Sequence, residues 1–178
     1  TLSTGETVLS FDGTNDYVQT SAFSIPNTNG TLTISVWMNC GVDNAFQEII
    51  GDNAESPSIG YLRYYKRSGD PGSNYLGFWY ATGSDRVYFS GSNFFQGYDN
   101  QWVLVTLVAD YNNRNIKAYR NGALIANQNQ SYNMIFPDAL RAKYIGAHSP
   151  SSEFLKGYLD DVRIYNRALS ADEIQALY

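Results

Sequence analysis

Residues 31–40 alternate strictly between apolar and polar side chains. Successive side chains of a β-strand point to opposite faces, so this pattern predicts a long strand with one side in a core. The apolar side carries Leu32, Ile34, Val36, Met38 and Cys40, and the other side carries Thr33, Ser35, Trp37 and Asn39. A sheet with one apolar face is most simply covered by a second sheet.

Short strand patterns fill most of the remaining chain. The 178 residues include 15 Tyr and 3 Trp, only 16% are charged, and there is little sustained helical periodicity outside the tail, which is typical of an all-β protein. Asn121-Gly122 marks a two-residue hairpin, because both residues tolerate positive φ. Further strands are predicted at 8–11, 17–20, 47–51, 61–66, 75–82, 86–90, 102–110, 115–120 and 143–147.

The last 25 residues, 154–178, combine a strand pattern up to Tyr165 with a short helix. Ser170 and Glu173 have the spacing of a capping box, in which each side chain satisfies an amide at the start of a helix. Leu169, Ile174 and Leu177 would then lie along one side of the helix and face a core. The whole pattern predicts two packed antiparallel sheets and one C-terminal helix.

The tail also carries the run Gly157-Tyr-Leu-Asp-Asp-Val-Arg-Ile-Tyr165, followed by Ala168-Leu-Ser170. This run resembles the closing segment of laminin-G-like domains in the concanavalin A-like lectin superfamily. Residues 9–18, the hairpin within 102–124, and Tyr144-Ile-Gly146 resemble the same family. The resemblance implies one jelly-roll β-sandwich domain over 1–178, with its first and last strands side by side. It also implies a binding module, most commonly for carbohydrate.

Two aspartates, Asp160 and Asp161, interrupt the alternation of the last strand. If Leu159, Val162 and Ile164 all face the core, a β-bulge at the aspartates must supply one extra residue. The alternative is a regular strand that buries Asp160 beside Val162. A buried carboxylate needs a hydrogen-bond donor or a cation, so either arrangement predicts a specific partner for one aspartate.

We predict a structural Ca²⁺ ion near the rim of the domain, bound by Asp160 or Asp161 together with Asp12 and Asp16. Calcium takes six to eight oxygen ligands, and a Gly/Asn/Asp turn beside an acidic strand can offer them. The resemblance adds that many laminin-G-like and pentraxin relatives bind calcium. The alternative is that Asp12 and Asp16 only cap their own turn through backbone amides.

A carbohydrate ligand requires aromatic faces for stacking and planar polar groups for the hydroxyls. If Leu62 and Phe78 face the core, the opposite faces of strands 61–66 and 75–82 form an outward patch. That predicted ligand-binding patch consists of Tyr61, Arg63, Tyr65, Tyr75 and Trp79. The alternative is that these aromatics cover a sheet face or lie under a loop.

Two other functional classes compete with a glycan-binding module. The first is a structural or adhesive component of a virion, fibre or surface assembly, because exposed aromatics also mark protein interfaces. The second is an enzyme, since glycosidases occur in this superfamily. Hydrolysis needs two opposed carboxylates, but the five Glu residues are isolated in sequence and no nucleophile motif accompanies the single His148. We therefore predict a non-catalytic protein.

The net charge of −5 argues against a nucleic-acid partner, and no apolar run is long enough to insert into a membrane. Cys40 is predicted to be a buried structural thiol, and His148 lacks a second His or Cys with which to build a zinc site. The chain begins at Thr1, so we expect a processed or excised piece. Its Tyr-rich surface suggests a secreted or surface-displayed bacterial or viral protein.

Overall fold

A computed structural model describes residues 7–23, 30–41, 47–52, 61–65, 75–79, 86–90, 94–130 and 140–178. Twelve strands and one helix lie within these residues. The first six strands are β1 (Leu9–Asp12), β2 (Val18–Gln19), β3 (Thr31–Cys40), β4 (Gln47–Gly51), β5 (Tyr61–Tyr65) and β6 (Tyr75–Trp79). The others are β7 (Arg86–Ser90), β8 (Val103–Asp110), β9 (Asn115–Arg120), β10 (Ala123–Asn129), β11 (Tyr144–Ile145), β12 (Lys156–Tyr165) and the helix α1 (Ala171–Leu177).

The strands form two antiparallel sheets of six strands each, in the order β1-β12-β3-β8-β9-β10 and β2-β11-β4-β5-β6-β7. These are called the first and the second sheet below. The predicted all-β, two-sheet architecture is confirmed. Strand β1 pairs with β12, so the beginning and the end of the described chain are neighbours, as the resemblance implied. Among the described residues, no helix has the length and apolar character needed to cross a membrane.

The main core lies between the two sheets. The first sheet contributes Ile34, Val36 and Leu107, and the second contributes Ile49 and Phe78; each of the five is completely buried. Alternation along β3 therefore aims its apolar side at the second sheet, as predicted. This packing fixes which residues of β3 and β12 face outward, and so positions the candidate site.

The outer side of β3 is less exposed than its alternation alone suggested. Thr33 and Ser35 are buried there, and Trp37 is only 8% exposed. The tail covers Thr33 and Trp37: Thr33 Oγ1 accepts a hydrogen bond from Leu169 N at 3.0 Å, and Tyr178 stacks on Trp37 at 5.8 Å. The helix thus closes a second, smaller core on the outer face of the first sheet, formed by Val108, Tyr119, Leu169 and Ile174.

The predicted bulge is confirmed at the paired aspartates. The register between β12 and β3 shifts between Asp160 and Arg163, and Asp161 has a φ of 51°. The extra residue lets Leu159 and Val162 both pack into the main core. The Asp161 carboxylate lies outside and pairs with Arg163, whose Nε donates to Oδ1 at 2.8 Å.

The predicted capping box is also confirmed. Ser170 Oγ accepts from Glu173 N at 3.2 Å, and Glu173 Oε2 accepts from Ser170 N at 2.8 Å. The hydrogen bonds from Arg167, followed by the one from the Ser170 amide, lower the pKa of Glu173 to about 2. The charged carboxylate therefore stabilises the start of the helix, and this contribution depends on pH.

Because the pKa of Glu173 is lower in the folded than in the unfolded state, its contribution is complete above the ordinary glutamate pKa and is lost as pH falls towards about 2. We expect wild-type protein to be more stable than Glu173→Gln above about pH 5, with the difference shrinking at lower pH. Urea unfolding of both proteins from pH 6 to pH 2.5 measures this. A difference that stays constant with pH would contradict it.

Candidate functional site

A surface cleft of about 700 Å³ lies where the first and last strands meet. Its lining combines polar side chains with one exposed aromatic ring and small residues. The described lining residues are Ser10, Phe11, Asp12, Asn39, Gly41, Asn100, Lys156, Gly157 and Tyr158. The cleft therefore exists only because β1, β12 and β3 are adjacent.

Strand register sets the outward row of this cleft. Tyr158 pairs with Ser10 of β1 on one side and with Asn39 of β3 on the other, so the three residues share the outer face. The Tyr158 side chain is 45% exposed, and its ring lies 6.5 Å from the ring of Trp102. The row thus offers an aromatic surface beside an amide and a hydroxyl.

The segment 94–101 supplies the remaining wall. Phe94 and Phe95 are buried in the main core and anchor the segment. Arg120 Nη1 donates to Phe94 O at 2.7 Å, and the guanidinium lies 4.4 Å from the centre of the Tyr98 ring. Asn100 N donates to Cys40 O at 3.2 Å, which holds Asn100 at the end of β3.

Gly157 allows β12 and β3 to approach closely below the cleft. Its φ is 147°, and a Cβ there would lie 2.5 Å from Asn39 O and 2.8 Å from Cys40 Sγ. The Cys40 thiol is buried, as predicted, and burial raises its pKa to about 12. A thiol with such a pKa is protonated at neutral pH, so Cys40 has a packing role beneath the cleft.

The predicted aromatic patch falls on strands β5 and β6. Their backbone register pairs Tyr61 with Trp79, Arg63 with Gly77, and Tyr65 with Tyr75. Directly paired positions share a sheet face, so the register keeps the five predicted positions on one face. Phe78 is buried in the main core, as the prediction required, and so is Leu76 on the same side of β6. The side chain of Leu62, the other residue that the prediction placed in the core, lies outside the described part of the structure. The side chains of Tyr61, Arg63, Tyr65, Tyr75 and Trp79 lie outside the described part of the structure.

The four carboxylates predicted to share a calcium ion lie in two separate places. Asp12 pairs with Lys156, four residues before Asp160, which separates the two pairs by roughly 13 Å at about 3.3 Å per residue. The calcium site stays a prediction, and the strand register favours an ion held by one pair over an ion shared by both pairs. Asp12 Oδ1 accepts from Thr14 N at 2.7 Å, and Asp16 Oδ2 accepts from Asp12 N at 2.9 Å, as in the turn-capping alternative. Calcium at one pair alone stays a prediction.

The chemistry of the cleft suits reversible binding of a polar ligand. Asn39 and Asn100 carry amides that both donate and accept hydrogen bonds, Lys156 carries a cation, and Tyr158 presents a ring face. Asp12 is the one carboxylate among the described lining residues. A pair of carboxylates facing each other, as glycoside hydrolysis requires, is not formed by those residues.

A laminin-G family model, described as the concanavalin A-like lectin/glucanases superfamily, matches residues 12–175. The chain belongs to this superfamily. The match begins at the last residue of β1, contains the whole of β12, and includes seven of the nine described cleft-lining residues. The comparison with curated proteins gives no match.

Solved structures share the fold of this concanavalin A-like domain at low sequence identity. A heptameric SAP-like pentraxin from Limulus polyphemus has a TM-score of 0.70 and 16% identity, over 94% of this chain and 79% of that one. A putative carbohydrate-binding protein from Bacteroides ovatus has a TM-score of 0.64 and 17% identity, over 94% of this chain and 47% of that one. The chain thus spans about half of the Bacteroides protein.

A carbohydrate-binding module of the Ruminococcus gnavus IT-sialidase, solved with α2,3-sialyllactose, has a TM-score of 0.61 and 16% identity. The alignment covers 90% of this chain and 97% of that module. The TM-scores of these structures show a shared jelly-roll fold. Sequence identities this low do not transfer a ligand or a site to this chain.

Sequence reasoning missed the cleft residues Asn39, Asn100, Lys156 and Tyr158. A signal was present, because the expected pairing of the first and last strands places Ser10, Tyr158 and Asn39 in one row. The exact register could not be derived, because no local pattern fixes how two strands distant in sequence align. The contribution of Asn100 depends on how 94–101 folds back, which no periodic pattern encodes.

Proposed function

We propose that this domain is a non-catalytic, extracellular carbohydrate-binding module and that the cleft between β1, β12 and β3 takes the sugar. The observation that carries the proposal is the combination in one cleft of the Tyr158 ring face with the Asn39 and Asn100 amides. A sugar ring needs both kinds of contact: an aromatic surface for its CH groups and planar polar groups for its hydroxyls. Two proteins of the same fold, the putative carbohydrate-binding protein from Bacteroides ovatus and the sialyllactose-bound module, support this ligand class.

Absence of catalysis is part of the same proposal. Asp12 already accepts a hydrogen bond from Thr14 N and has no second carboxylate opposite it among the described lining residues. A general acid and its partner carboxylate would have to lie about 5–9 Å apart across the bound sugar. The cleft therefore holds a glycan without hydrolysing it.

A glycan array tests the ligand class directly. We expect wild-type protein to bind a restricted set of oligosaccharides. We also expect light scattering to show that the protein is a monomer when it binds the strongest of them. If the protein instead assembles with increasing concentration and binds no glycan, the adhesive or structural alternative replaces this proposal. Calcium is included in one arm, so that an ion at the Asp12 or Asp160 pair is tested as well.

A further inference from the structure

Glu48, His148 and Glu153 form a compact cluster away from the cleft lining. Each residue offers one ligand atom, and the three atoms lie within 4.8 Å of one another. Among the described residues, no other group of three or more His, Cys, Asp or Glu side chains meets this spacing. The cluster combines two carboxylates with the single histidine of the chain.

Main-chain hydrogen bonds hold the cluster together. Glu48 lies on β4, and the other two residues lie on the connection between β11 and β12. Glu48 N donates to Glu153 O at 3.1 Å, and His148 N donates to Ser152 O at 3.1 Å. The connection packs closely against β4, because a Cβ on Gly51 would lie 2.7 Å from the Cα of His148. Both sides of the cluster are thus fixed by backbone contacts.

The cluster lies partly below the protein surface. Glu48 is completely buried, and Glu153 and His148 are half-buried. Two charged carboxylates at this separation repel each other. A divalent cation between them balances both charges, while a neutral imidazole supplies a third ligand.

The ligand types indicate the class of ion. Calcium and magnesium prefer oxygen ligands, whereas an imidazole nitrogen with carboxylates suits zinc and related transition ions. Ligand atoms of a tetrahedral zinc ion are about 3.3 Å apart, from metal–ligand distances of about 2.0–2.1 Å. Side-chain movements of about an ångström would bring the cluster to that geometry.

We propose that Glu48, His148 and Glu153 bind a divalent transition ion of the zinc class, which fastens β4 to the connection before β12. The sequence argument against zinc, that no second His or Cys exists, fails because two carboxylates complete the set. The position also matters for the cleft. Gln47, next to Glu48, accepts a hydrogen bond from the amide of the cleft residue Lys156 at 2.8 Å.

The single histidine provides a direct test. Untagged protein, stripped with EDTA, is titrated with ZnCl₂ while long-range ¹H–¹⁵N spectra follow the His148 ring nitrogens. We expect their shifts to saturate at one equivalent and the melting temperature to rise, because the ion binds the native state. Calcium should not reproduce the shifts. Unmoved ring signals after several equivalents of zinc would overturn the proposal, and so would the same shifts with calcium.

A matched pair of variants distinguishes a three-residue zinc site from binding of zinc by His148 alone. We expect Glu48→Gln, which keeps the shape of the side chain, to weaken zinc binding at least tenfold. The exposed control Asp172→Asn should bind zinc like the wild type. Equal affinity of Glu48→Gln and wild type would overturn the site. If Glu48→Gln does not fold, Glu153→Gln replaces it, and the wild-type titration alone remains decisive.

Discussion

Replacing Gly146 with alanine is expected to reduce the free energy of unfolding by about 2–5 kcal/mol. Gly146 follows β11 and has a φ of 83°, a conformation that costs an L-residue about 1–2 kcal/mol. In addition, a Cβ there would overlap the ring of Phe11, a buried residue of β1. Overpacking of a core typically costs a further 1–3 kcal/mol or so. The substitution therefore tests how closely Phe11 of the first strand packs against the second sheet.

Gly97 provides the matched control. Its φ is 79°, close to that of Gly146, but a Cβ would meet nothing within 4 Å. We expect Gly97→Ala to lose only the conformational cost, about 1–2 kcal/mol. Urea unfolding of the three proteins measures both values. Equal losses in the two variants would contradict close contact between Phe11 and Gly146.

Replacing Tyr158 with alanine is expected to weaken binding of the array-selected oligosaccharide at least tenfold. The exposed ring is the aromatic surface of the cleft, and a central aromatic contact is the kind of residue that dominates a binding energy. Stability should change little, because the side chain lies on the outer face of the first sheet. Calorimetric titration of folded wild-type and variant protein measures the loss.

Tyr178 is the control for this experiment. It is also an exposed tyrosine, with 54% of its surface accessible, but it stacks on Trp37 and does not line the cleft. We expect Tyr178→Ala to retain wild-type affinity. If Tyr158→Ala binds normally and Trp79→Ala does not, the ligand lies on the β5–β6 face and the assignment to the cleft is wrong.

The sequence predicted those parts of the fold that depend on local patterns. Alternation identified β3 and its core side, and the Ser170 and Glu173 spacing identified the start of α1. The mismatch between Leu159 and Val162 predicted the bulge, because a strand with period two cannot bury both residues. Each of these features is encoded within a few neighbouring residues.

Features that depend on contacts between distant segments were not predictable in the same way. Thr33, on the polar side of β3, is buried and bonds to the segment just before the helix, and Ser35 is buried beside Thr106 of the neighbouring strand β8. The cleft combines residues of β1, β3, β12 and the segment 94–101, and the cluster of Glu48, His148 and Glu153 joins positions about a hundred residues apart. A polar residue at such a place has no periodic signal that separates it from an ordinary surface residue.

The central claim is that the cleft between the first and last strands holds the sugar. A single ¹H–¹⁵N spectrum tests it, because the chain has 3 Trp and each indole N–H reports a different place. Trp102 lies beside Tyr158, Trp37 lies under Tyr178, and Trp79 belongs to β6. On saturation with the selected oligosaccharide, we expect the Trp102 signal to shift while those of Trp37 and Trp79 stay in place. A shift of Trp79 with Trp102 unchanged would contradict the account.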